Sequence, residues 1–529
     1  MEVQRNFFIF AFLFISFLLW QTWQGQSFLY KQMNKKNNLV SHITNIKKNN
    51  NYIFIRNDVI ALTINMHGGD IEEAVLLKYK DKLHSSKFFK LLETTDDFIY
   101  QAQSGLIGRD GPDSAINQSR PVYSSTEKIF ELKKNMKELR VPISWIDRNH
   151  VTYVKNFILK PGKYTVDIEH NIYNSSIKTL QFNVFGQIKQ TMNLPEKRNV
   201  YSKNFALQTF RGAAYSSMNE KYEKYKFENI LRNKHLNILT KDGWIAMLQQ
   251  YFAVAWIPKN TGLNTIYTSN LHNGIVAIGY TSSPIDVLPN SYSCIKSKLW
   301  VGPEIQKEMI LVAPHLDLTV DYGWLWFLSQ PLFKLLSILH DIVGNWGISI
   351  IVITFIMKLI TYPLTKAQYV SMTKMRTLQP KIDEIKKVFK HDKQRMSEEI
   401  IKLYRQKKIN PLSGFFSILI QMPIFLSLYY MLISSVELRH APFLLWIDDL
   451  SNQDPYYVLP VIMGITMFLI QKTSSSTISD TMHKKVMNFI PIIFTIFFLW
   501  FPAGLVLYYI VSNLVTILQQ KLFLLHFKK

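Results

Sequence analysis

The sequence predicts a multi-domain membrane protein: an N-terminal anchor, a large all-β domain, and an α-helical polytopic core. Three observations carry this. Five apolar runs of spanning character crowd into the part of the 529-residue chain after residue 344. Between about Gly25 and Asp321 no run is long enough to span, and short alternating stretches dominate instead. Basic residues collect in one loop between the apolar runs, the asymmetry that sets membrane topology.

Phe7–Trp20 is an apolar run that follows Arg5. The residues after it, Gln21-Thr-Trp-Gln-Gly-Gln-Ser, lack the small-x-small pattern of signal-peptide cleavage, so residues 1–24 read as an uncleaved transmembrane anchor. Asn34–Asn51 is rich in Asn and Lys and reads as a linker. Alternation then marks strands at Tyr52–Arg56, Val59–Ile64, Val151–Leu159, Tyr164–Ile172 and Leu180–Phe185. Turn signals such as His67-Gly-Gly-Asp70 and Pro161-Gly-Lys163 separate them. Residues 25–323 therefore read as one all-β sandwich domain. With Cys294 as its single cysteine, the chain can form no intramolecular disulfide, and this domain must stand on its apolar core.

Residues 324–343 are amphipathic. Trp324, Phe327, Leu328, Pro331, Leu332, Leu335, Leu336 and Leu339 recur at helical spacing around Lys334 and Ser337, which predicts a helix lying in the membrane interface. The core follows over 344–525, with spans at Gly347–Tyr369, Leu412–Val436, Tyr456–Gln471, Val486–Trp500 and Gly504–Gln520. Several fall short of the roughly 20 residues of an ordinary spanning helix, which implies local thinning of the bilayer or cover by protein.

The chain holds 61 Lys+Arg against 38 Asp+Glu. The loop at 372–411 contains 12 basic and 5 acidic residues, whereas Glu437–Asp454 contains one basic and four acidic. Positive-inside logic places the 372–411 loop and both termini in the cytoplasm, and residues 25–323 outside. That loop reads as a hairpin of two helices, Leu378–Val388 and Lys393–Lys408, whose outer surface carries Lys386, Lys387, Lys407 and Lys408. Such a surface suits ribosomal RNA or anionic lipid, or serves only to set topology. No dense basic run occurs in the first 323 residues, where the excess charge follows a general Asn/Lys/Ile-rich composition. No Walker A, GxSxG, HExxH or strand-to-helix GxGxxG pattern occurs, and no cofactor is predicted.

Lys358 sits near the middle of the Gly347–Tyr369 run, where a charge costs roughly 2.5–3.5 kcal/mol on insertion scales. On a helix Thr354, Lys358, Thr361 and Thr365 form one polar stripe. Two other segments carry stripes: Ser413, Ser417 and Gln421, and Tyr509, Asn513, Thr516 and Gln520. Three partly polar helices, one of them charged, predict a wet cavity within the membrane. A snorkelling lysine or a plain helix–helix hydrogen bond is the competing reading, and the central position of Lys358 weighs against it.

Several motifs of the C-terminal half resemble the YidC/Oxa/Alb family of membrane protein insertases. They are Asn345-Trp-Gly-Ile-Ser, Tyr362-Pro-Leu-Thr-Lys-Ala-Gln368, Leu378-Gln-Pro-Lys381, Gln421-Met-Pro-Ile-Phe425, Asp454-Pro-Tyr-Tyr457 and Phe501-Pro-Ala-Gly-Leu-Val-Leu-Tyr-Tyr509. His67-Gly-Gly-Asp70 and the segment from Gly243 to Phe252 resemble the periplasmic domain of the family's Gram-negative form. The resemblance implies a five-helix core with a hydrophilic groove and a β-supersandwich periplasmic domain in the cell inner membrane. It also implies nascent membrane proteins as substrates, the Sec translocon with its accessory subunits and the ribosome as partners, and a single copy as sufficient. Where the family carries a groove arginine this chain has Lys358, which keeps the charge and lacks the planar fork. Thr354 matches the family's threonine one turn earlier, and Met422, Phe425 and Tyr509 match positions that touch passing substrate helices.

The groove residues expected on these grounds are Lys358, Thr354, Gln421, Tyr509 and Asn513. The expected sliding surface is Met422, Phe425, Phe494 and Tyr508. The work predicted is insertion without covalent chemistry, so the chain is not read as an enzyme. A secondary transporter using the intramembrane lysine is the first rival; it predicts inverted repeats, and none is visible. A sugar-modifying enzyme in the β domain and a pure Sec scaffold are the others.

Overall fold

The computed structural model describes residues 51–114, 119–194, 206, 209–232, 234–259, 262–271, 273–390, 392–407, 413–474 and 481–527. The anchor predicted at 1–24 and Lys408 lie outside them, as do the side chains of Ser413 and Ser417.

Alternating burial builds the first part. In Ile60–Asn65 buried and partly exposed residues strictly alternate, the signature of a strand with one face on a core. Among the described residues such strands make an eleven-stranded and an eight-stranded sheet. The pairings are antiparallel except between Tyr52–Arg56 and Ile129–Glu131. The sheets enclose one apolar core with Trp244, Trp256 and Trp300 fully buried. Tyr100 Oη donates to the Met247 carbonyl (3.2 Å) and Trp256 Nε1 to that of Gln187 (3.1 Å), so polar tips bridge the two layers. The expected strands are present with ends shifted by a residue or two, as at Thr152–Leu159 and Ile60–Asn65.

The His67-Gly-Gly-Asp70 turn organises a buried polar cluster in this core. Gly68 and Gly69 both adopt left-handed backbone (φ 78° and 65°), which glycine tolerates without strain. Their carbonyls point inward and receive Lys155 Nζ at 3.3 and 2.7 Å, with Ser104 O at 3.1 Å. Arg120 joins Asp70 to Asp113 beside them.

The second part is helical: α1 (Trp326–Val343), α2 (Trp346–Ile360), α3 (Tyr362–Val388), α4 (Lys393–Gln406), α5 (Ser413–Ser434), α6 (Val458–Ser474), α7 (Thr481–Phe498) and α8 (Ala503–Phe527). α8 packs against α2 and α6, α6 against α7, and α1 against α2 and α5. Gly344 (φ 73°) closes α1 in the left-handed conformation and donates to the His340 carbonyl at 2.7 Å. Asn345 then caps α2 by accepting from the Ile348 amide at 3.1 Å.

Two expectations need revision. The Gly347–Tyr369 run is not one straight rod: its axis bends by 57° between α2 and α3. Pro363 falls in the first turn of α3, where its missing N–H costs nothing, so the break sits at Thr361. The first hairpin helix is also not separate. α3 runs unbroken from Tyr362 through Leu378 to Val388, so the far-side hairpin grows directly out of the spanning segment. By length and apolarity Ala503–Phe523 alone qualifies as a straight span among the described residues, or two spans with the bent pair. Gln421–Ser434, Val458–Lys472 and Phe489–Phe498 are apolar and shorter.

Candidate functional site

The long helix α8 orders the site by depth, with about 1.5 Å of rise per residue. Nearest the β domain is a tight turn. Ala503 N donates to Asn452 O (2.7 Å) and Gly504 N to Leu450 O (2.9 Å), tying the helix start to the Glu437–Asp454 loop. Asp454, 1% exposed, accepts from Trp446 Nε1 (3.0 Å), Tyr456 N (3.0 Å) and Leu459 N (2.7 Å). A Cβ on Gly347 would overlap the Phe443 ring of the same loop. The family-like motifs at 345, 454 and 501 thus build the closed end of the bundle, not a groove.

Below the turn lies an aromatic layer. Tyr509 meets Phe425 edge-on (5.6 Å) and Phe498 (5.3 Å), while Phe498 stacks on Phe494 (6.2 Å) and Phe501 (4.9 Å). Tyr429 closes on Phe501 at 5.5 Å. Tyr508 is buried beside it.

Polar groups follow one to two turns deeper. Asn513 Nδ2 donates to Thr466 Oγ1 of α6 at 3.0 Å. Lys358 Nζ donates to Thr516 Oγ1 of α8 at 3.0 Å, and Gln519 Nε2 lies 3.5 Å from the Lys358 carbonyl. Tyr369 Oη donates to the Thr516 carbonyl (3.3 Å), and its ring packs on Phe523. Lys358 is half-buried, with its ammonium bonded to the neutral Thr516 hydroxyl. Tyr509 precedes Thr516 by seven residues, so the lysine lies about 10 Å beyond the aromatic layer, away from the β domain.

The structure brings Lys358, Tyr509 and Asn513 to one face of α8. Thr354 is fully buried, and its hydroxyl donates back to the Ile350 carbonyl at 2.6 Å within its own helix. Gln421 is exposed and Met422 is 44% exposed, at the outer edge of the Phe425 cluster. Lys387 and Lys407 are exposed on the far-side hairpin, and Lys386 lies 3.9 Å from Asp383. Sequence reasoning did not pick out Thr466, Tyr369 or Gln519 as neighbours. Thr466 and Gln471 are both buried in the otherwise apolar α6, a mismatch that marks its facing side.

A two-sheet β domain joined to a helical region, with at least one helix long and apolar enough to cross a membrane and a lysine beyond an aromatic layer, is the architecture of a membrane protein with a large extramembrane domain. Residues 52–335 match the family described as YidC periplasmic domain, and residues 338–529 the family described as 60Kd inner membrane protein. The membrane protein insertase YidC of Buchnera aphidicola subsp. Acyrthosiphon pisum (strain 5A) is 70% identical over the full length of both chains. That of Buchnera aphidicola subsp. Schizaphis graminum (strain Sg) is 66% identical over 100% of this chain and 99% of its own. A crystal structure of active YidC insertase with its first transmembrane domain resolved aligns over 89% of this chain and 92% of its own, at 19% identity and a TM-score of 0.39. The chain belongs to the YidC family of membrane protein insertases.

Proposed function

We propose that this chain inserts nascent membrane proteins into the inner membrane through the polar set on α8, with Lys358 as the attracting charge. The observation that carries this reading is the Lys358–Thr516 pair, placed beneath the Tyr509–Phe425–Phe498 layer. A polar flank crossing hydrocarbon leaves backbone groups unsatisfied at several kcal/mol each. Thr516, Asn513 and Lys358 offer partners part of the way, and the aromatic layer seals the rest against ion leakage. An acidic residue of the translocated tail is drawn toward Lys358, while Met422, Phe425 and Phe494 give its apolar helix a surface to slide along into lipid. Burial of some 20 apolar residues supplies the free energy, so neither nucleotide nor covalent chemistry is needed and the chain is not an enzyme.

In this reading residues 1–24 anchor the chain, 25–323 are periplasmic, 324–343 lie in the interface, and 344–525 do the work, with both termini cytoplasmic. The Lys387 and Lys407 surface meets the ribosome or anionic lipid, the Sec translocon is a partner, and one copy suffices. The test is site-specific photocrosslinking in membranes from Tyr509, Phe425 and Thr516 to a stalled nascent membrane protein. Adducts at all three are expected, with none from Ile177, an exposed position of the β domain. Adducts only from β-domain positions contradict the reading.

A further inference from the structure

Among the described residues the β domain carries two short α-helices, Phe227–Leu231 and Gln306–Val312, and the second lies next to the helical part of the chain. Met309 turns inward and is fully buried, whereas Ile310 is 54% and Leu311 80% exposed. Lys307 is exposed too, at the i, i+3, i+4 spacing with Ile310 and Leu311 that puts three residues on one helix face, and Pro314, also exposed, follows two residues after the helix ends. Exposed leucines scattered singly are ordinary, and contiguity is what carries meaning. Lys307 supplies it: its Nζ lies 3.3 Å from Ser337 Oγ and 3.9 Å from Asp341 Oδ2, both on α1. The next residues along α1 are Ile338, Ile342 and Val343, which are themselves exposed. Exposed apolar residues thus stand on both sides of the Lys307 contact between the β domain and α1.

Chain connectivity states what covers them. Val343 is followed by Gly344 and Asn345, and α2 starts at Trp346. Whatever medium surrounds the first turn of α2 surrounds Ile342, and Lys307, one helical turn before Leu311, reaches Asp341, the residue before Ile342. We propose that the β domain rests on the outer leaflet of the bilayer through Ile310, Leu311 and Pro314, which continue the lipid-facing edge of α1. These residues have the chemistry of a shallow lipid contact. Their apolar side chains are bulky, and Lys307 and Lys334 flank them with headgroup-seeking charge. The exposed Trp324 and Trp326 at the start of α1 are residues suited to the same depth. The inference rests on the reading that α1 lies in the membrane interface. It adds that the β domain is a peripheral membrane module held at a fixed height, not a body tethered in free solution.

The experiment uses the full chain in nanodiscs of phosphatidylethanolamine and phosphatidylglycerol. Cys294→Ser removes the native thiol, and Leu311→Cys, Ile342→Cys and Ile177→Cys place an environment-sensitive fluorophore at one site each. Ile177 is 90% exposed and serves as the aqueous control. Quenching by nitroxide-labelled lipid is compared with quenching by iodide. The proposal expects positions 311 and 342 to be quenched by lipid several-fold more than position 177 and to be shielded from iodide. Lipid quenching at 342 with iodide quenching at 311 would overturn the proposal and leave the interfacial placement of α1 standing. Iodide quenching at both would remove that placement as well. Shielding of 311 from both quenchers would mean protein covers it and would also overturn the proposal.

Discussion

Lys155 illustrates what a single residue contributes here and what a sequence can say of it. It is 1% exposed, lies on strand Thr152–Leu159, and its ammonium satisfies the carbonyls of Gly68, Gly69 and Ser104. Burial pushes its pKa down from 10.5 to about 8, against partial support from Asp70. Between those values the unfolded chain holds a proton that the folded chain lacks, so stability from this residue rises with pH through the window from about 8 to 10.5. Lys155→Met removes the donor to the buried Gly69 carbonyl, while those of Gly68 and Ser104 keep Arg120 Nη2, and is expected to destabilise the β domain by about 2 kcal/mol. Thermal unfolding of parent and variant at pH 7.5 and pH 9.5 should show the gap widening at the higher pH. A gap that narrows would place the lysine in a more polar setting than described. Alternation assigned the strand, but a lysine at an inward position contradicts the pattern, and only the inward carbonyls of the glycine turn explain it.

At the scale of elements, Arg439 shows how a loop joins the two halves. It lies just beyond α5, and its guanidinium donates to the carbonyls of Lys80 (2.8 Å) and Asp81 (3.1 Å) while covering the rings of Phe89 and Phe252 at 5.4 and 5.5 Å. Ser434 Oγ at the end of α5 donates to the Asp321 carbonyl (2.6 Å) and makes a second link. Arg439→Ala removes charge-assisted hydrogen bonds and cation–π contacts together, on the order of 3 kcal/mol of junction stability. Faster hydrogen exchange in Phe88–Thr94 with unchanged exchange in Thr152–Leu159 is the expected result. Uniform change through the β domain would mean that the residue supports folding and not docking. Loop Glu437–Asp454 drew attention in the sequence for its acidity and for the motif that begins at Asp454, and the work of Arg439 was invisible because Lys80, Asp81, Phe89 and Phe252 are remote along the chain. The break at Thr361 was closer to legible: Tyr362-Pro363 is a helix-start signal inside an apolar run, and hydropathy outweighed it. The basic hairpin of α3 and α4 gives a further expectation. If Lys386, Lys387, Lys407 and Lys408 contact ribosomal RNA, ribosome binding to the solubilised protein should fall steeply between 50 and 200 mM salt, as phosphate contacts do. Neutral substitution of the four should weaken binding and flatten that dependence. Binding indifferent to both leaves these lysines as topology signals alone.

For the whole molecule, composition and periodicity separated a β domain from a helical core, because each class writes its own period into the chain. They could not give the order of the two sheets, since strand pairing between Leu180–Thr191 and Ile99–Ile107 joins residues far apart in sequence. The candidate site was legible as stripes, and its depth order was not. Only the shared helix α8 reveals that aromatic closure precedes the lysine. That order is the physical core of the account, a closed end next to the β domain, then an aromatic layer, and a cation about 10 Å beyond that layer. An acidic tail group at about 4 Å from Lys358 would gain on the order of 4 kcal/mol at an effective dielectric near 20, before desolvation removes much of it. The most direct test is protease protection of matched substrates that differ only in the charge of the translocated tail, inserted by the parent chain, Lys358→Arg and Lys358→Ala. The account predicts that Lys358→Arg matches the parent, while Lys358→Ala slows acidic tails several-fold and spares neutral ones. Equal slowing of acidic and neutral tails by Lys358→Ala would contradict it and would assign the lysine to packing against Thr516 alone.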